Sequence, residues 1–175
     1  QCDLRQFFPG IDHAILRDIL ARKLRDPDVI WLIERILHGG AGVLSDEYEM
    51  VWFPGDDLLA ALRPRGLPIG NLTSQFWANC YLDALDQYVK RELRCPAYLR
   101  YVDDFLLFAE SKSQLWNWKG AIRNFLVGLR LTMHEARSTV YPVSTGIPFL
   151  GFRIYPTHRF LKKRNVFSFA RRFRR

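Results

Sequence analysis

The chain predicts an α+β fold, with a small antiparallel sheet and helices packed on one of its faces. Three observations point there. An apolar stripe at helical spacing follows a capping aspartate, Asp12. Two β-prone runs flank an aspartate pair in "AYLRYVDDFLLFAE" (97–110). Gly39-Gly40 and Cys95-Pro96 stop helices between them. The order is strand, helices, long helix, hairpin, helix, strands, with no internal repeat, low-complexity run or interdomain linker.

Residues 1–8 are expected to form the end of a buried strand. Asp12 then caps a helix to about Arg25, with Ile15, Leu16, Ile19, Leu20 and Leu24 on one stripe. Asp26-Pro27 supplies the N-cap and first residue of a second helix, which Gly39-Gly40 ends. Residues 41–68 are loop-rich, with three prolines and a strand candidate at Met50–Phe53. Ser74 is expected to cap a long helix through Leu93. Ser111 and Gln114 form a capping box for a helix over about 112–129. Strands are expected near Arg130–Met133 and Thr139–Val143. "IPFLGFRIYPTHRFLKK" reads as a hairpin turning at Pro156–His158.

At 175 residues, 49% of them apolar, the chain is long enough for one domain with a sizeable core. No apolar run reaches the length of a membrane span, and the start has no signal-peptide pattern. The sequence opens at Gln1 without a Met, so a fragment or processed chain is expected. Cys2, Cys80 and Cys95 are far apart and lack C-x-x-C spacing, which predicts neither a disulfide framework nor zinc and fits a reducing, cytoplasmic setting. The net charge is +8. Residues 159–175 hold eight Lys and Arg and no acid, so the rest balances at 18 basic and 18 acidic residues. Phe160, Phe167, Phe169 and Phe173 are interleaved with these bases. A solvated helix end or an anionic-lipid surface would account for them; phosphate contact by Arg171, Arg172, Arg174 and Arg175 is the preferred reading.

Asp103 and Asp104 are costly where they stand, because like charges repel and apolar neighbours disfavour carboxylates. As a hairpin break the pair is adequate, although it lacks the glycine that a tight turn prefers. As a cation site it offers hard oxygen ligands. Asp3, near the apolar start and just ahead of Phe7 and Phe8, would add a third carboxylate if its strand joined the same sheet. Such a cluster suits phosphoryl transfer with two divalent ions.

"YVDD" at 101–104 resembles the catalytic signature of reverse transcriptases. "DLRQFF" resembles their first aspartate motif. "RGLPIGNLTSQFWANCYLDALD" resembles the nucleotide-pocket motif that opens the long palm helix. "LRLTMHEARS" and "FLGFRIYP" resemble the following palm motif and the primer-grip hairpin. These five motifs stand in family order over most of the chain. The resemblance implies a polymerase palm over 1–158 and the primer-grip end and start of a thumb over 159–175, with the fingers motifs missing upstream. On that reading the 175-residue piece alone is a poor polymerase.

It also implies two Mg²⁺ ions (Mn²⁺ as a substitute), an RNA template, a DNA or RNA primer, deoxynucleoside triphosphates and no membrane. Asp3, Asp103 and Asp104 match the catalytic, metal-binding aspartates, with Asp3 and Asp103 the principal ligands. Phe8 matches the bulky gate against a 2′-hydroxyl, or is a core aromatic. Ile69 stands where many relatives have Gln beside the nucleotide. Gln75 falls at a template-contact position, or is an ordinary first-turn residue. Gly70 permits close backbone approach, or serves a turn. "IGNLTSQ", with "FPGIDH", "YVKRELRC" and "GIPFLGF", is most similar to the diversity-generating retroelement enzymes, which implies errors opposite adenine and a small basic helical accessory protein. Arg137 stands where relatives commonly have Lys, which puts a general-acid role there in doubt. The alternatives are an intron-, retron- or defence-type reverse transcriptase, a non-catalytic RNA-binding relative, and a metal-dependent nuclease.

Overall fold

The computed structural model describes residues 1–162 together with 167, 169 and 171–173. They fall into two compact units, 1–139 and 140–175. Arg174 and Arg175, named above as phosphate contacts, lie outside the described residues; Arg171 and Arg172 are helical and exposed.

In the first unit, strand β1 (Cys2–Arg5) ends sooner than expected. Gln6 adopts a left-handed conformation (φ 49°), and residues Phe7–Gly10 form a single helical turn, α1, where the sequence predicts strand. Pro9 has no N–H to give to a ladder. Helices α2 (His13–Lys23) and α3 (Pro27–Gly40) follow as predicted. The Asp12 carboxylate accepts from the N–H groups of Ala14 and Ile15, and Asp26 from those of Asp28 and Val29. Each cap satisfies helix-end donors that would otherwise lack partners.

No strand forms at 50–53. The N–H of Phe53 donates to the Asp56 carboxylate at 2.8 Å, and the Asp56 N–H returns to the Phe53 carbonyl at 3.0 Å. This local side-chain turn takes up the groups that a ladder would need. Helix α4 (Leu72–Gln87) starts before Ser74. Asn71 is its N-cap and Ser74 lies buried inside it, which corrects the expected cap. A wider π-turn over Tyr88–Glu92 carries it to the predicted end.

Strands β2 (Ala97–Tyr101) and β3 (Asp104–Phe108) make the central hairpin. Ser111 caps α5 (Lys112–Gly128), its hydroxyl accepting from the Gln114 N–H at 3.1 Å. Strand β4 (Thr132–Met133) closes an antiparallel sheet of order β2-β3-β1-β4. Its helix-facing side carries Cys2, Leu4, Phe105 and Met133, buried against Tyr81, Leu82 and Leu85 of α4, Ile122 and Leu126 of α5 and Leu16 of α2. Burying each large apolar side chain contributes about 1.5–3 kcal/mol. On the other side, Ala97, Leu99 and Tyr101 of β2 are exposed, as the period of two requires, while Asp3 and Leu106 are buried.

In the second unit, the strand expected at 139–143 is absent, and Val143–Thr145 form a 3₁₀ turn after Pro142. Strands β5 (Ile147–Phe149), β6 (Phe152–Ile154) and β7 (Arg159–Leu161) make an antiparallel meander. It has the predicted turn at 156–158 and a second, tighter one at Leu150-Gly151, where both residues have positive φ.

Candidate active site

The ladder places the aspartates. Asp3 of β1 pairs directly with Asp104 of β3, and Asp104 with Tyr101 of β2. Directly opposed residues in an antiparallel pair point to one face, so Asp3, Asp104 and Tyr101 share the side away from the helices. The two-residue turn between β2 and β3 is Val102-Asp103, not Asp103-Asp104 as the flanking runs suggest, and Asp104 already belongs to the ladder.

Val102 sits in the left-handed region at φ 55°. A β-branched residue there is strained by about 1–3 kcal/mol. Two features offset this. The Val102 side chain packs against the main core. Beneath the turn, the Arg100 guanidinium donates to the Val102 carbonyl at 3.1 Å and to Asn79 at 3.0 Å, and meets the Asp86 carboxylate through two bonds of 2.8 and 2.5 Å. Burial pulls Arg100 toward losing its proton, but Asp86 outweighs it and holds the guanidinium above its usual value. The turn that carries Asp103 is thereby tied to α4.

Burial pushes the Asp103 carboxyl above the usual carboxylate range; a backbone hydrogen bond opposes this, and the charges of Asp3 and Asp104 raise it further. Asp3 is buried, and its backbone is held on both sides. Its N–H donates to the Ser138 hydroxyl at 3.2 Å, and its carbonyl accepts from the His134 N–H at 2.8 Å. Its carboxylate accepts from Arg137 at 3.1 Å. Among the described residues no group of three or more His, Cys, Asp or Glu side chains is arranged to hold a metal ion. The chemistry of the set nonetheless fits a hard divalent cation. The register sets Asp3 opposite Asp104 with Asp103 at the adjoining turn, the charges of Asp3 and Asp104 disfavour ionisation of Asp103, and a guanidinium stands as counter-charge on Asp3.

The other sequence-predicted residues lie around the N-terminal ends of α1 and α4. Phe8 is half-buried, its ring edge-on to Phe7 at 5.4 Å. The Phe8 carbonyl accepts from the Leu67 N–H at 3.0 Å, which brings the segment leading to Ile69 beside it. Ile69 is 66% exposed and so contributes little to the core. Gly70 has φ 103° with open space around it, so its conformation, not a close approach, requires glycine. Gln75 is exposed in the first turn of α4.

Sequence reading missed Arg100, Lys119 and Ser138 as organisers of the site. A charged residue at a helix-facing strand position, in phase with Tyr98, was the available signal for Arg100. Two concavities lie elsewhere. One of about 190 Å³ is lined by Gly40, Pro68, Ser74 and Trp77, among others, and one of about 530 Å³ lies between Pro96 and Trp118. Neither includes the aspartates. No helix among the described residues is long and apolar enough to cross a membrane.

The family model described as reverse transcriptase (RNA-dependent DNA polymerase) matches residues 1–154. No curated protein matches the chain significantly.

Proposed function

The chain belongs to the reverse transcriptase family, RNA-directed DNA polymerases and hence nucleotidyltransferases, and from that premise we propose that Asp3, Asp103 and Asp104 are its catalytic carboxylates and hold two Mg²⁺ ions. The observation that carries this reading is the register, in which Asp3 faces Asp104 with Asp103 at the adjoining turn. When bound, the ions activate the attacking hydroxyl and neutralise charge on the triphosphate.

The protein's own residues set the stage for that chemistry. Arg100 holds the turn, and Ser138 and His134 hold the backbone of Asp3. In this reading Phe8 lies under the incoming sugar and excludes a 2′-hydroxyl. Gln75 meets the template. The basic segment 159–175, with Arg171 and Arg172, meets nucleic-acid phosphate. The test is RNA-templated primer extension with Mg²⁺, using a longer enzyme that contains this chain. Asp103→Asn is expected to abolish synthesis while the fold persists; comparable extension would overturn the assignment.

The finer reading is an error-prone enzyme of the diversity-generating type, working with a small basic helical accessory protein. Ile69 and Gln75 in "IGNLTSQ" support it, and the exposure of Ile69 leaves that side chain available to a substrate. Ile cannot make a polar contact with the nascent base pair, and one hydrogen bond is worth roughly 0.5–1.5 kcal/mol. Ile69→Gln is therefore expected to lower misincorporation opposite template adenine, by about tenfold at most. Sequencing of complementary DNA from a defined RNA measures it, and an equal or higher error rate would make Ile69 a packing residue.

A further inference from the structure

We infer that Arg137 is a built-in counter-cation that occupies Asp3 in the metal-free protein and must leave when a divalent ion binds. The inference rests on the metal-binding reading of Asp3 above, and deepens it by naming a residue that competes with the ion.

The geometry separates a fixed backbone from a releasable side chain. Residues His134–Ser138 form a tight turn, in which the N–H groups of Arg137 and Ser138 both donate to the His134 carbonyl, at 3.1 and 2.9 Å. The turn is fastened to β1 through the His134 N–H and the Ser138 hydroxyl, both on the backbone of Asp3. It is fastened to α5 through Lys119, only 7% exposed, whose ammonium donates to the Ser138 carbonyl at 2.7 Å and to Glu135 at 3.0 Å. Glu135 is also paired with Arg123 at 2.8 Å. The Cα of Arg137 is thus held beside Asp3. Its side chain is not, since it is 70% exposed and makes one 3.1 Å contact through one guanidinium nitrogen, with no fork-to-fork pairing.

The contact falls on a carboxylate oxygen of Asp3, the atom type through which an ion would bind. Two cations cannot share it closely without repulsion, so the closed pair and the metal-bound state exclude one another. Apparent ion affinity is then reduced by the fraction of molecules in which the pair is closed. An exposed ion pair closes only modestly, so the reduction is about two- to sixfold.

Direct Mn²⁺ titration of the 175-residue chain, followed by the electron paramagnetic resonance of free Mn²⁺, reads this without any turnover. Arg137→Gln is expected to bind Mn²⁺ about two- to sixfold more tightly than wild type, Arg137→Lys close to wild type, and Asp103→Asn far more weakly. Thermal melting adds a second readout. Arg137→Gln should melt lower than wild type without ion and gain more from added Mn²⁺. Binding by Arg137→Gln that is equal to or weaker than wild type, while Asp103→Asn still weakens it, overturns the competition but leaves the metal site standing. Equal binding by wild type and Asp103→Asn, or none by any variant, overturns both. Binding by Arg137→Gln where wild type shows none is the strongest support.

Discussion

Two arginine–aspartate pairs in the first unit are built in opposite ways. Arg130 grips Asp56 with two parallel bonds of 2.7 Å, lies 3.5 Å from Asp12, and stacks over the Phe53 ring at 5.0 Å. The side chains are 15% and 3% exposed. The Phe53 N–H supplies a further donor to Asp56. Arg137, by contrast, touches Asp3 once and from the solvent side. In the first pair both carboxylate oxygens are bonded, one of them twice, so the carboxylate is a strut joining the 53–56 turn to the segment before β4. In the second, one carboxylate of a repelling set has a loose partner. A carboxylate with fixed and complete compensation is structural; one whose compensation is loose is available to a ligand.

The sharpest way to break this comparison is to neutralise one aspartate of each kind in the ion-free protein. Asp56→Asn removes the main counter-charge of a largely buried guanidinium, leaving it only the 3.5 Å approach to Asp12, and is expected to lower the melting temperature markedly. Asp103→Asn removes one of three crowded charges and should hold the melting temperature or raise it. Calorimetry of both variants decides the matter, and shifts of the same sign would erase the distinction.

A smaller and more specific effect appears on acidification. Asp56 is held below the ordinary 3.8 by the Arg130 hydrogen bonds first and the Phe53 N–H second. Its native-state value is lower than its unfolded value, so its contribution is present above 3.8 and is lost as pH falls through the lowered value. Asp103 is raised above 3.8 by burial first. Its folded state holds the proton more tightly, so stability is greatest below 3.8 and is lost as pH rises through the raised value. Denaturant titrations from neutral pH downward should show the advantage of Asp103→Asn over wild type shrinking to nothing near pH 3.8. The deficit of Asp56→Asn should persist there and fade only at lower pH.

What could be read in the sequence followed the range of the interaction. α2, α3 and α5 announce themselves through Asp12, Asp26 and Ser111, because a cap and its helix lie within one turn of chain. Where two local signals compete, the reading slips. Ser74 looks like a cap, yet Asn71 comes first and Ser74 is drawn into the interior. Residues 50–53 look like a strand, yet Asp56 captures the Phe53 N–H. Residues 6–8 look like a continuation of β1, yet Gln6 reverses the backbone.

By itself the sequence determined the α+β class, the main helices and the central hairpin, and the family, and it nominated the three aspartates, because motif identity and chain order need no knowledge of packing. Only the tertiary structure decided that Asp3 stands opposite Asp104, that Val102 bears the strained turn, that Arg100 and Lys119 hold the two segments carrying the site, and that Arg137 rests on Asp3. Each of these joins residues separated by a strand, a helix or nearly the whole unit. Such pairings are set by sheet register and by the burial of charged groups that must find partners, and although a charge at a helix-facing position can mark one member, as at Arg100, nothing local names its partner.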